Sequence, residues 1–463
     1  MFDKQKLNNS VAKVTSKSKQ IVSNFNKPTE AFSQKWLSLM LFCAIFVSKD
    51  LLYFGTVNAL LLRISQIVMM GCALFSAIYL VTNKISVKDK SIFSLIMSTI
   101  LVVLSALGNL DFRMGYLYLL VVLWVGYMLM WIAGADRIFD FFYKAMTVIS
   151  VVSVVAFVFQ KLFPQFVTLF PIIKNETGIQ FRFLLVTNLD DTYGTFLRNW
   201  GPFREPGVFQ AFVALSLMYG LYCKKESSLW SILFHILAIV TTFSTTGYIV
   251  LMLIIGATVV QKKETMLNRE LYKTILVICF LGALYLVFFT DVLYSSGGMD
   301  YASVFGKIFS GGSNPAMGSR VASIWVNILM FLERPLFGGG LTFVDARFAE
   351  LCSELYGTTG YHNTNTVFIL LSTFGLLFMA ILLTKMWLFI NEYFHGGRWT
   401  KLLLLAAYIC LLFGENLMYS VIIMVPLFYV SETERKQVLK LKEFLKKKWR
   451  GIEYSWKHNN QAQ

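Results

Sequence analysis

Arg198, Arg204 and Glu205 lie close together in the stretch Arg198-Asn199-Trp200-Gly201-Pro202-Phe203-Arg204-Glu205-Pro206-Gly207-Val208-Phe209. A guanidinium presents a planar fork that donates two parallel hydrogen bonds to a phosphate or carboxylate. Two of them on a stiff loop suit an anion. Gly201-Pro202 turns the chain, and Pro206 suits the first turn of a helix, where its missing N–H is not needed. The plainer use of such arginines is to anchor a helix end at a membrane interface. A third cation, Arg320, opens a helical pattern over 319–333 whose apolar stripe is Val321, Ile324, Trp325, Ile328, Phe331 and Leu332. An arginine in a first turn opposes the helix dipole, so either a phosphate ligand or an ordinary surface charge accounts for it. Arg334-Pro335-Leu336-Phe337-Gly338-Gly339-Gly340 follows. Its glycines leave N–H groups free to approach an anion, although a flexible loop is the commoner use. His362, in Tyr361-His362-Asn363-Thr364-Asn365, can accept a proton near neutral pH as a general base must; a lone histidine is more often structural.

The elements that carry these residues are membrane segments. The chain has 463 residues, 56% hydrophobic and 16% aromatic, and only 15% charged, against about 25% in soluble domains. Apolar runs of about 20 residues, the length that crosses a bilayer as a helix, recur throughout. Twelve spans are expected, at 36–56, 64–82, 92–109, 115–133, 143–162, 206–222, 229–243, 246–260, 274–290, 364–384, 400–413 and 418–430. The seventh and eighth read as a tight hairpin around Ser244-Thr245-Thr246, the last two as another around Glu415-Asn416. The fold expected is all-α and polytopic. Residues 1–35 are polar, carry seven lysines and do not read as a cleavable signal peptide. Cys43, Cys72, Cys279 and Cys410 fall in apolar runs, Cys223 at an inner edge and Cys352 in an outer loop, which is no disulfide framework. No metal-ligand cluster, nucleotide-binding glycine motif or internal repeat is evident.

Basic residues concentrate in cytoplasmic segments of membrane proteins. With the N-terminus inside, 30 of the 42 lysines and arginines fall in the inner segments. The net charge of +16 therefore follows the membrane and does not indicate nucleic acid. Both termini are expected in the cytoplasm. The organisation is a cytoplasmic segment 1–35, a membrane domain 36–430 and a basic tail 431–463 that suits anionic lipid or, less simply, a cytoplasmic partner. Two long loops, 163–205 and 291–363, fall outside, and long loops are commonly functional.

Arg198-x-x-Gly201-x-x-Arg204-Glu205-Pro206-Gly207, Gly318-Ser319-Arg320 with Trp325, Pro335-Leu336-Phe337-Gly338-Gly339-Gly340, and His362-Asn363 with Gly375 together resemble the bacterial O-antigen polymerase and O-antigen ligase superfamily. The resemblance covers roughly 195–385. Phe203-Arg204-Glu205-Pro206-Gly207 looks most like capsule and exopolysaccharide polymerases. Relatives often carry a Ser-Arg pair at the start of the eighth span; this chain reads Ser244-Thr245-Thr246.

The resemblance implies a GT-C-like glycosyltransferase of the bacterial cytoplasmic membrane. It would use a polyprenyl-diphosphate-linked oligosaccharide donor and neither metal nor cofactor, and it would work beside a flippase and a chain-length regulator. The base would be His362 or Glu205. Arg198, Arg204 and Arg320 would hold the diphosphate. Trp200, Tyr361 and Asn363, with Tyr193 and Phe203, would contact sugar. A ligase is the nearest alternative. A lipid-oligosaccharide flippase is a more distant one, since transporters show related halves and mid-membrane charges. Here such charges are limited to His235 and the adjacent Lys49 and Asp50, which read as an interfacial pair.

Overall fold

The computed structural model describes residues 34–82, 91–174, 180–184, 187–190, 197–224, 227–261, 282 and 315–431. Apart from Gly282, the expected ninth span lies outside the described residues, as do the terminal segments 1–33 and 432–463.

Described in chain order, the helices are α1 Gln34–Phe46, α2 Ala59–Thr82, α3 Ser91–Gly108, α4 Met114–Ile132, α5 Gly134–Leu162, α6 Pro206–Tyr222, α7 Leu229–Thr241, α8 Thr245–Val260, α9 Pro315–Glu333, α10 Gly340–Tyr356, α11 Thr366–Tyr393, α12 Arg398–Gly414 and α13 Val421–Met424. Four of them, α2, α4, α5 and α11, are long and apolar enough to cross a membrane. The chain is a mostly helical membrane protein. One correction to the all-α expectation is a small antiparallel sheet, β1 Ile172–Lys174, β2 Gln180–Leu184 and β3 Thr187–Asp190. The first expected span is also shorter than read, because α1 ends at Phe46 and the chain then bends.

α6 lies at the centre. Every residue in it except Leu221 is buried, and it packs on α5, α7, α8 and α12. A helix apolar all round can be accommodated only inside a bundle, and Pro206 starts it directly after Glu205.

The turns sort into two ends. At one end the 47–58, 109–113, 197–205, 242–243, 334–339 and 415–420 segments touch each other, through pairs such as Leu51 with Phe203, Arg198 with Thr242 and Arg204 with Asn416. At the other, His395 N–H donates to the Tyr222 carbonyl and Lys224 pairs with Asp140. The last expected span is irregular. α13 is a single turn, continued by a 3₁₀ turn over Val425–Phe428. Leu417 N–H donates to Thr366 Oγ1 while Lys385 Nζ donates to the Tyr429 carbonyl, so 12 residues match a length of α11 of about 28 Å. Every residue from Val421 to Phe428 is buried. Backbone of this kind is tolerated at membrane depth only when protein covers it.

α11 is broken at Gly375 (φ 78°, ψ −176°). The segment 335–339 fills the break: Leu376 N–H donates to the Pro335 carbonyl and Gly339 N–H to Ser372, while Ser105 Oγ donates to the Thr373 carbonyl. A β-carbon on Gly338 would collide with the backbone of Thr373, and one on Gly375 with that of Leu336. The glycine run is therefore neither a flexible loop nor an exposed anion nest. It lets two backbones touch.

The 291–363 loop contains α9 and α10, which share a small core of Ala322, Val326, Met330, Val344, Phe348, Leu351 and Cys352. The apolar stripe of α9, read in the sequence as the lipid-facing side of a helix lying in the outer interface, is turned away from that core. Trp325 and Leu332 are exposed, whereas Ala322, Ser323, Val326, Asn327 and Met330 are buried. The inner face mixes apolar residues with two polar ones, and polar groups buried there need hydrogen-bond partners. Ser323 and Asn327 accordingly bond Asn363, and Ser372 Oγ donates to Asn327 Oδ1 at 2.7 Å.

Candidate functional site

The strap 197–205 is held on three sides. Asn199 N–H donates to the Thr241 carbonyl (2.9 Å), and its amide reaches Thr241 Oγ1 (2.9 Å). The Gly201 carbonyl accepts from Asn188 N–H (2.8 Å) and Nδ2 (3.0 Å) on β3. On the third side, Leu52 N–H donates to the Pro202 carbonyl and Arg204 N–H to the Asp50 carbonyl, both at 3.0 Å. Gly201 has φ 52°, and a β-carbon there would meet the Phe209 ring at 2.8 Å. The turn at Gly201-Pro202 is therefore packed as well as bonded.

Arg198 Nε donates to the Thr242 carbonyl at 2.9 Å, and Nη2 to Phe243 at 3.4 Å. It thus closes the α7 C-terminus at the hairpin around Ser244. Burial and the nearby charge of Arg320 push the Arg198 guanidinium down to about 10, with Glu415 and Glu205 acting the other way. Arg204 Nη2 donates to the Asn416 carbonyl at 3.0 Å, and Nη1 lies 3.4 Å from Glu205 Oε1. Its Nε is buried without a hydrogen-bond partner among the described residues. α9 begins at Pro315, so Arg320 lies in its second turn. End effects of the dipole are weaker there than the first-turn reading assumed.

In the sequence Glu415 and Asn416 read as a bare hairpin turn. The structure puts them at the centre of the site. Thr366 Oγ1 donates to the Glu415 carbonyl and accepts from Leu417 N–H, while Arg204 takes the Asn416 carbonyl. The Glu415 side chain is buried against Gly207, where a β-carbon would come within 2.8 Å of its carboxyl carbon. Burial first, then the Glu205 carboxyl, raise the Glu415 carboxyl well above the ordinary range, opposed by Arg204 and Arg320. The one available signal was a glutamate between two apolar runs, since ionisable residues at such depth are expensive and usually functional.

Two further groups join the cluster. Lys49 and Asp50 are not a plain interfacial pair. Lys49 Nζ sits 3.8 Å over the Tyr419 ring, and Asp50 is fully buried beside Arg204. Gln210 is fully buried one turn into α6, packed on Gly247, and neither atom of its amide has a hydrogen-bond partner among the described residues. A buried unpaired amide costs about 1–3 kcal/mol, which a polar ligand would offset.

The remaining expected residues have their own surroundings. His362 is exposed in the loop before α11. Asn363 spends its amide on Ser323 and Asn327. Tyr361 packs toward Tyr356, with ring centroids 5.6 Å apart, at the edge of the α9–α10 core. Trp200 meets Phe181 of β2 edge-on at 4.7 Å. Phe203 is fully buried against Phe209 and Phe212 and cannot stack on a sugar. Tyr193 lies outside the described residues.

The arrangement is a cationic, largely buried cluster at one end of an apolar bundle, with two carboxyl groups beside it. It can bind a multiply charged anion and exchange protons with it. Comparison with protein-family models, with curated proteins and with solved structures returns no match to this chain.

Proposed function

We propose that this chain is a glycan polymerase that joins polyprenyl-diphosphate-linked oligosaccharide repeat units at the outer face of the bacterial cytoplasmic membrane. The observation that carries this reading is the meeting of Arg198, Arg204 and Arg320 with Glu205 and Glu415 around the start of the central helix. The lipid tail would lie in the bilayer, and the diphosphate would meet the arginines at the bundle end. Charge developing on the leaving diphosphate is what preorganised donors in a dry site stabilise best. The acceptor oxygen bonds to the anomeric carbon, and the bond from that carbon to the diphosphate oxygen breaks with its electron pair on oxygen. The acceptor proton goes to His362, which is open to an incoming glycan.

The test uses purified protein with its cognate lipid-linked repeat units in detergent, where nothing has to cross a membrane. A ladder of products is expected from wild type. His362→Ala should lose about 10²–10⁴ in rate, the usual contribution of a general base. A folded wild type that builds no ladder from the repeat units, but transfers glycan to lipid A core, would be a ligase. One that builds nothing and only moves lipid-linked units between leaflets would be a flippase. A normal ladder from His362→Ala would remove the base and keep the enzyme.

The same reading fixes the orientation, with both termini and the basic tail in the cytoplasm. In intact cells, a cysteine at exposed Gln165 should react with a membrane-impermeant maleimide, and one at exposed Gly397 only after lysis. The reverse pattern would invert the map.

A further inference from the structure

The buried Glu415 carboxyl has no part in the chemistry described so far, yet it occupies the most constrained place in the site. Gly207 leaves room for it at the first turn of α6, Thr366 fixes the carbonyl of the same residue, and Arg204 fixes the carbonyl of the next. Glu205 comes just before that helix turn, with Arg204 Nη1 3.4 Å from its carboxylate. We propose that Glu205 and Glu415 form a carboxyl pair that shares one proton and donates it to the leaving diphosphate oxygen. The proposal rests on the glycosyl-transfer reading above and names the acid on the leaving-group side.

Three arguments support it. Glu415 is buried and the Glu205 side chain is half-exposed beside it, and a buried carboxyl next to a second carboxylate cannot ionise cheaply, so the pair retains a proton near neutral pH. The raised position of the Glu415 carboxyl, from burial and from Glu205, agrees with this. The groups facing the pair are Arg204, Arg320 and Arg198, with Lys49 and Asp50 beside Arg204; burial, and then Arg204, lower the Lys49 ammonium to about 7, so Lys49 also loses charge across neutral pH. With one shared proton the pair carries a single negative charge. Three guanidinium groups then leave two positive charges over, which is the charge a diphosphate diester brings. Last, the pair stands among the arginines assigned to the diphosphate, so its proton is next to the leaving oxygen and not next to the acceptor.

The step balances. The acceptor proton goes to His362, the glycosyl–oxygen bond breaks toward the diphosphate, and that oxygen takes the proton of the pair. The pair is then doubly negative beside a diphosphate, which favours release, and both protons equilibrate with water afterwards.

The probe is P1-geranyl-P2-glucosyl diphosphate, whose charge does not change in the range used, with affinity measured by calorimetry from about pH 6 to about pH 9, below the range where Arg198 loses charge. As pH rises the wild-type pair gives up its proton, the site gains a negative charge, and affinity should fall roughly ten-fold or more. Glu415→Gln cannot lose that proton and should fall less steeply, keeping only the part that the loss of the Lys49 charge contributes. Glu205→Gln should behave likewise, which keeps the test open if one variant does not fold. In the ladder assay, Glu415→Gln should extend chains about 100-fold or more slowly than wild type, because it has no proton to give. A flat wild-type affinity profile, a Glu415→Gln profile that falls like the wild type, or an unchanged extension rate in Glu415→Gln overturns the pair. Wild type that binds the probe with the expected pH dependence but builds no ladder keeps the pair and removes the polymerase.

Discussion

Arg204→Ala should slow chain extension by about 10²–10³, the loss that follows when one preorganised donor to a developing oxyanion is removed. Arg204 is placed for that role by both its neighbours. Its backbone N–H is taken by Asp50, and its Nη2 by the Asn416 carbonyl. The guanidinium is thus aimed before any ligand arrives, and its Nε is still unspent among the described residues. Arg204→Lys should recover only part of the rate. An ammonium restores the charge but cannot hold the Asn416 carbonyl and a phosphate oxygen in one plane. The measurement is product length and rate at matched amounts of folded protein. Because Arg204 also ties the 415–417 turn to the strap, thermal unfolding must be followed alongside. Alanine and lysine variants that fold normally and make glycan of wild-type length would remove Arg204 from the chemistry.

The second large effect is on folding. Gly375→Ala should abolish most of the yield of monodisperse protein. At φ 78° and ψ −176° the residue occupies a region open essentially to glycine alone. An alanine β-carbon would also lie 2.5 Å from the Leu336 carbonyl carbon, which is backbone and cannot rotate away. Conformational strain of about 1–3 kcal/mol adds to that overlap, against a whole-fold stability of about 5–15 kcal/mol. Gly338→Ala should behave similarly, with φ 73° and the Thr373 backbone in the way. Gly71→Ala is the control. It sits within α2 with nothing within 4 Å of the new carbon, and should stabilise by up to about 1 kcal/mol. Equal yields from Gly71→Ala and Gly375→Ala would mean that the crossing of 335–339 over the break in α11 does not hold the bundle together.

Much was legible in the sequence because it depends on local rules. The start of α6 at Pro206 follows from proline at a first helical turn and is where the structure has it. The apolar lengths of α2, α4, α5 and α11 follow from the thickness of hydrocarbon, and the hairpin at Ser244 from a short polar break between apolar runs. Clustering of Arg198, Arg204 and Arg320 was suggested by residue type, and the charges of Arg198 and Arg320 do act on each other.

Tertiary structure decided the rest, for reasons no local pattern carries. The inner face of α9, Ala322, Ser323, Val326, Asn327 and Met330, is set by packing on α10 and α11 and was not legible from the apolar stripe. The glycines at 338 and 375 are far apart in sequence, and their purpose is visible only where two backbones meet. Phe203 and Trp200 look alike as aromatic residues of an outer loop, yet the first is fully buried by the start of α6 and the second lies against the sheet. Glu415 is more than 200 residues from Glu205. Composition and spacing determined that this is a membrane bundle with a cationic loop; only long-range packing, through Gly207, Thr366 and Arg204, brought a second carboxyl group to that loop.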